Sequence, residues 1–219
     1  MYIPLYTPKE KNIILTGMPW AWKTSIWKPF AKEIGYNFLD FDDDILEKIS
    51  LETSENIISI LNISSHWIIP ENIANKEVKD LLDLLWDDDF LKLEWYMWEN
   101  LNFNEPTVLS TSWSLPLELW AMAHLKVDWE VVYIDTPIEV ILNRLELMKT
   151  DRIIWMWKMT LEEILNYRKK FYDVTKDYNF KVPLFNEDAL NSKNERNRQK
   201  NIILKEFINF YKENKIWIV

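Results

Sequence analysis

Lys23 and Thr24 close an eight-residue stretch, Gly17-Met18-Pro19-Trp20-Ala21-Trp22-Lys23-Thr24. Its spacing is that of a phosphate loop, G-x-x-x-x-G-K-[ST], at every position but one: Trp22 stands where the second glycine belongs. Such a loop binds anions. Successive backbone N–H groups wrap the phosphates, the lysine neutralises them, and the hydroxyl ligates a cation. Gly17, Trp20, Ala21, Trp22, Lys23, Thr24 and Ser25 are therefore the candidate nucleotide-binding residues. An indole at position 22 would fill the space that the phosphates need.

A phosphate loop works only between a strand and a helix, and the flanks supply both. Asn12–Thr16 is a short apolar run ending at Gly17, the pattern of a buried strand. Thr24–Ile34 places Ile26, Phe30, Ala31 and Ile34 on one helical face, with Gly35 as its C-cap. Further strands are expected at Phe38–Phe41, Thr107–Thr111, Glu130–Ile134 and Asn179–Pro183. Helices are expected at Leu46–Ile60, Val78–Leu101, Thr136–Met148, Leu161–Tyr172 and Glu195–Asn214. Thr160 and Glu163 have capping-box spacing before the Leu161 helix. Short apolar strands alternating with helices predict a mostly parallel sheet covered on both faces.

The chain has 219 residues, enough for one domain with a core. Its net charge of −9 leaves no basic excess for nucleic acid. Cysteine is absent, so a disulfide scaffold is excluded. The start, MYIPLYTPKEKN, lacks a signal-peptide pattern, and no stretch reaches the ~20 apolar residues of a membrane span. The expectation is a cytoplasmic monomer that binds neither membrane nor nucleic acid.

Two counts are abnormal: 13 Trp against 2 Gly. Average usage would give about fifteen glycines, and turns with positive φ need them. The surplus and the deficit are similar in size, which suggests one cause. Trp113 follows a strand, Trp129 follows Asp128 at a turn, and Trp155 and Trp157 lie in a loop-like segment. A gene whose UGA codons mean glycine, translated with a table that reads UGA as tryptophan, would produce this pattern. If the tryptophans are real, the alternative is a degenerate pseudokinase acting as a binding module.

From Ile13 to Val182 the chain resembles the shikimate kinase family. The loop fits that family's longer pattern G-x-x-G-x-G-K-[ST]-x-x-G, with Trp20, Trp22 and Trp27 on the glycine positions. Asp40-Phe41-Asp42 resembles the family's D-x-D, Phe90 to Glu94 its F-R-x-x-E helix, and Ser110–Ser114 its triple-glycine turn. Asp151-Arg152 resembles the start of its lid, and Arg168 to Tyr172 its R-x-x-[FL]-Y helix. The resemblance implies a P-loop NTPase of the nucleoside-monophosphate-kinase-like type, a three-layer sandwich whose five-stranded parallel sheet has order 2-3-1-4-5. It implies a single kinase domain over 1–219, with a substrate-binding helical region at about 45–105 and a lid at about 149–160.

It further implies phosphoryl transfer from ATP to the 3-hydroxyl of shikimate, in aromatic amino-acid biosynthesis. Lys23 would contact the β- and γ-phosphates, and Thr24 and Asp40 would hold Mg²⁺. Asp42 would bind the substrate hydroxyls and take the proton. Arg168 would pair with the carboxylate, near Trp113 and Ser114, and Arg152 would close from the lid. Read without the family, Asp42 could simply cap a helix beginning near Asp44, and Arg168 could be a surface partner of Glu163 or Asp173.

Two departures fall on the substrate side. Leu91 occupies the position of the family arginine in F-R-x-x-E, with Lys92 the nearest cation in sequence. The triple-glycine turn reads Ser112-Trp113-Ser114. The segment 57–86 is also longer than the family's. These changes favour, as the alternative substrate, another small hydroxylated metabolite.

Overall fold

The computed structural model describes residues 11–18, 23–51, 59, 78–85, 87–99, 101, 103–127, 129–148, 158–185, 192–214 and 216. Five strands form one all-parallel sheet: β1 (Asn12–Gly17), β2 (Asn37–Asp40), β3 (Thr107–Ser110), β4 (Trp129–Asp135) and β5 (Tyr178–Lys181). Their order is β2-β3-β1-β4-β5, as expected. β1 pairs with β3 through Ile14 opposite Leu109, and with β4 through Leu15 opposite Val132.

Side chains alternate across each strand, and the core divides accordingly. Ile14, Leu109 and Val131 belong to one cluster, packed with helices α2 (Phe41–Leu51), α3 (Val78–Leu84), α4 (Asp87–Glu99) and α5 (Leu119–Leu125). Ile13, Leu15, Val108, Val132 and Ile134 belong to the other, packed with α1 (Lys23–Ile34) and α8 (Lys193–Glu213). A third, smaller cluster joins Met18 and Tyr133 to α6 (Ile138–Met148) and α7 (Leu161–Thr175). The result is a sheet covered on both faces.

Local chemistry sets the boundaries. Gly35 ends α1 at φ +76°, a conformation that favours glycine. Its N–H donates to the Lys32 carbonyl (3.3 Å) and the Tyr36 N–H to the Ala31 carbonyl (2.9 Å), the Schellman closure expected of a glycine C-cap. Thr160 and Glu163 form the expected capping box at the start of α7. α2 begins at Phe41, earlier than the expected Leu46, because the Asp40 carboxylate accepts the Asp42 N–H (3.3 Å) and caps the first turn. The single helix expected over 78–101 is two helices, interrupted at Leu85. Asp87, Asp88 and Asp89 place negative charge in the first turn of the second, where the helix dipole favours it. A short 3-10 turn (Leu115–Leu117) and α5 follow β3, neither of which was expected.

Candidate active site

In a parallel sheet the connection out of each strand begins at its carboxyl end, so residues just past the strands gather along one edge. Here β1 ends at Gly17, β2 at Asp40 and β3 at Ser110, with Asp40 in register with Ser110. The Thr111 N–H donates to the Leu15 carbonyl (3.1 Å), locking the residue after β3 against β1. Strand order changes direction at β1, which has β3 on one side and β4 on the other. That is the place where α/β sheets open a ligand crevice.

On the nucleotide side the strand–loop–helix order is as required. Gly17 is the last residue of β1, paired opposite Ile134, and Lys23 and Thr24 open α1. Trp20, Ala21 and Trp22 lie outside the described residues, as do the side chains of Lys23, Thr24 and Ser25 and all of Arg152, Trp155 and Trp157. Crowding of the loop by the indoles therefore falls outside them too. Asp40 stands at the carboxyl end of β2, and one of its oxygens caps α2. A carboxylate oxygen and a hydroxyl form a hard donor set that fits Mg²⁺, which keeps several waters and needs few protein ligands. Among the described residues no group of three or more His, Asp or Glu could hold a metal by itself.

A polar cluster beside this edge is built from three elements. α4 contributes Glu94, the turn after β3 contributes Ser112, Trp113 and Ser114, and α7 contributes Arg168 and Tyr172. Arg168 is only 1% exposed. This excludes the reading of it as a surface partner of Glu163 or Asp173. Burial lowers the Arg168 pKa, and Tyr172, Glu94 and Asp87 act against that shift. The guanidinium lies 5.9 Å from the centre of the Trp113 ring. The Tyr172 hydroxyl donates to the Trp113 carbonyl (2.7 Å), and the Tyr172 ring stacks on Tyr133 (centroids 5.1 Å, interplanar angle 3°).

Glu94 is the residue that the sequence reading passed over. It sits on the buried face of α4 among Phe90, Leu91, Leu93, Met97 and Trp98, and is 2% exposed. One carboxylate oxygen accepts the Ser114 hydroxyl (2.5 Å). Burial pushes the Glu94 carboxyl up to about 7; hydrogen bonds from Ser114 and Ser112 oppose the rise, the Asp42 charge adds to it, and Arg168 opposes it. Asp42 thus faces the same cluster from the first turn of α2, which begins three residues before Asp44. A lone carboxylate within an apolar helical face was the available signal.

The structure bonds Ser114 to Glu94 and sets Arg168 over the Trp113 ring, while the charges of Asp42 and Arg168 act on Glu94. It does not bring Lys92 there. Lys92 is exposed and pairs with Asp89 (3.0 Å) on the outer face of α4. Leu91, at the expected arginine position, is buried at 8% exposure in the core cluster.

The tryptophans divide. Trp27 is buried in α1, edge to face with Phe207 (4.6 Å); Trp98 stacks on Phe41 (4.5 Å); Trp129 is the first residue of β4 and packs on Phe103 (4.6 Å). The indole N–H groups of Trp27 and Trp98 are buried without a hydrogen-bond partner among the described residues. Trp120, by contrast, is 77% exposed.

The five-stranded order, the strand–loop–helix at β1 and the Asp at the end of β2 define a P-loop kinase fold. The Shikimate kinase family model matches residues 65–209, about two thirds of the chain. The chain belongs to the shikimate kinase family, whose members are phosphotransferases with an alcohol group as acceptor. Among its relatives, Threonine synthase-like 1 of Homo sapiens is 33% identical over 166 residues, which cover 74% of this chain and 19% of that protein. The chain thus spans about a fifth of the length of such relatives. Shikimate kinase of Phocaeicola vulgatus is 27% identical over 188 residues, 83% of this chain and 90% of that one. The crystal structure of Shikimate kinase from Bacteroides thetaiotaomicron superposes with a TM-score of 0.63 at 22% identity, covering 92% of this chain and 98% of that one. Shikimate kinase from Acinetobacter baumannii in complex with shikimate gives 0.62 at 20%, covering 95% and 97%. Among the described residues no helix is long and apolar enough to cross a membrane.

Proposed function

We propose that the protein transfers the γ-phosphoryl group of ATP to the 3-hydroxyl of shikimate. The observation that carries this is the buried Arg168, which lies over the ring of Trp113 just past the carboxyl end of β3. A guanidinium removed from water is costly unless an anion completes it. Its planar fork matches a carboxylate, and a hydroxyl on the same small ring then reaches the nucleotide side.

In this reading Arg168, Trp113 and Ser114 hold the substrate, and Asp42 accepts the proton of the reacting hydroxyl. Lys23 neutralises the transferring group, and Arg152 closes on it from the lid segment. Thr24 and Asp40 would hold Mg²⁺, which supplies charge neutralisation across the phosphates. The residues about 45–105 form the substrate-binding region and about 149–160 the lid of one kinase domain.

The loop requires small residues, so the reading includes glycine at the loop tryptophans. The family match that begins at residue 65, past the loop, supports this, as do the unpartnered indole N–H groups of Trp27 and Trp98. A buried unsatisfied donor costs about 1–3 kcal/mol, and glycine brings none. Reading the gene tests it: UGA at codons 20, 22 and 27 supports the reassignment, and UGG there removes it.

A second substrate reading has its own observation. With Leu91 buried and Lys92 turned outward, Arg168 is the one guanidinium that the described substrate side offers. A small hydroxylated metabolite with weaker carboxylate binding fits that. ADP release across a panel of hydroxylated acids, sugars and shikimate separates the two: highest turnover on shikimate supports the first, and higher turnover on another member supports the second.

A further inference from the structure

Gln199 is a polar side chain in an apolar stripe. It is fully buried on the face of α8 that continues through Ile203, Phe207 and Tyr211. Its amide nitrogen donates to the Glu195 carboxylate (3.4 Å), and Arg198 grips the same carboxylate through two bonds of 2.9 Å. The contact with Glu195 fixes which end of the amide is which, since a carboxylate accepts and only the nitrogen donates. The other end is therefore the carbonyl oxygen, buried and without a partner among the described residues. A buried acceptor left unsatisfied is costly.

Its place in the fold says what would satisfy it. α8 and α1 run in the same sense, because Trp27 meets Phe207 (4.6 Å) and, about one turn further along both, Phe30 meets Tyr211 (5.2 Å). At about 1.5 Å per residue, Trp27 lies about 6 Å inside the start of α1, and Gln199 lies about 12 Å before Phe207. Gln199 thus sits about 6 Å beyond the first residue of α1, at the end where the chain arrives from β1. That is the end at which a phosphate loop holds its nucleotide.

The direction of the nucleotide follows from the rest of the site. In the proposed reading the acceptor is held by Arg168 past the end of β3, so the γ-phosphate points to that side of β1. The base then lies on the other side, over β4 and β5. α8 packs on that side: Phe180 of β5 meets Phe207 (4.9 Å), and Val132 and Ile134 of β4 share its cluster. The base end of the nucleotide and the Gln199 carbonyl come to the same corner. Trp27 packs between α1 and α8, and glycine at 27, as the loop pattern has it, leaves room on this interface.

We propose that Gln199 reads the base of the nucleotide. Its carbonyl oxygen accepts a hydrogen bond from the 6-amino group of adenine, and it rejects guanine, which presents a carbonyl oxygen at that position. Turning the amide to suit guanine would set its own carbonyl against Glu195. The proposal rests on the use of ATP given above, and it makes Gln199 a determinant of nucleotide specificity outside the phosphate loop.

The test is calorimetry with the Mg²⁺ complexes of ATP, GTP and purine riboside triphosphate, which lacks only the 6-amino group. It is run on protein with glycine at all 13 Trp positions and on its Gln199→Met variant. Methionine keeps the length of the side chain and removes the acceptor. The parent should bind ATP about tenfold more tightly than purine riboside triphosphate, the worth of one hydrogen bond, and GTP more weakly than ATP. Gln199→Met should lose about tenfold on ATP and little on the other two, so that the preference collapses. An equal loss on all three would mean that Gln199 supports the core alone, and would overturn the proposal. The comparison within the parent needs no variant: equal affinities for ATP and purine riboside triphosphate overturn the base reading alone. A parent that binds none of the three overturns the ATP reading and this one with it.

Discussion

The nucleotide side and the substrate side of this crevice use the chain in opposite ways. A phosphate loop recognises its ligand with backbone N–H groups, so what matters in it is the absence of side chains. In the proposed reading the other side holds its ligand with Arg168, Asp42 and Ser114, so what matters there is the presence of those side chains. Tryptophan in place of glycine would therefore strike the two sides unequally. At 20 and 22 it would fall on loop positions that need small residues, and at 27 within α1; at 113 it would alter one wall of a polar cluster that assembles with the tryptophan present. A constellation of side chains survives changes that a backbone nest does not.

The largest expected effect breaks this contrast directly. Protein with glycine at all 13 Trp positions should bind ATP–Mg²⁺, and the tryptophan protein should not; calorimetry on both checks it, and equal affinities would show that the indoles leave the loop open. In the glycine protein, Lys23→Ala should lower kcat by about 10²–10³-fold, the loss seen when one preorganised charge-stabilising donor is removed. Next comes Arg168→Ala, which should raise KM for shikimate at least tenfold, by initial-rate kinetics, since a charge-assisted pair contributes about 1.5–3 kcal/mol.

The pH dependence of stability should be of similar energy but opposite in sign to the usual carboxylate. Glu94 ionises at about 7 in the folded protein, above its ordinary value of 4.5. Between those values the folded state holds a proton that the unfolded state has released, so stability is lost as pH rises. The loss, on the order of 3 kcal/mol, is complete above about pH 7 and is read from denaturant midpoints at pH 4.5 and 8. The smallest expected effect is at Leu91. Leu91→Arg should lower KM by about tenfold or less in the glycine protein, because Arg168 already offers one guanidinium to the carboxylate; no change in KM would sharpen the case for a different substrate.

Much of the scaffold was legible. The apolar run to Gly17, the Gly35 cap and the Thr160–Glu163 capping box each depend on local chemistry, and each stands where expected. The start of α2 was misplaced because Asp40 was read as a metal residue and its capping role was overlooked. The break at Leu85 was missed because apolar periodicity continues through it, although the acidic run Asp87–Asp89 has the composition of a helix start and does open the second helix. At the site, Arg168 and Asp42 came from motif positions. Glu94 was part of a quoted motif yet went unread, because only the tertiary fold reveals that Ser114 and Arg168 converge on it. Lys92 failed for a simple geometric reason: one residue along a helix turns a side chain by about 100°, from the core to solvent.

The most direct test of the proposed activity is ADP release by the glycine protein with ATP, Mg²⁺ and a panel of hydroxylated acids, sugars and shikimate. Shikimate should give the highest kcat/KM of the panel, and Lys23→Ala should remove it. Higher turnover on any other panel member would contradict the assignment of shikimate, and no acceptor-dependent release with any member, from protein shown to bind ATP, would contradict the kinase activity itself.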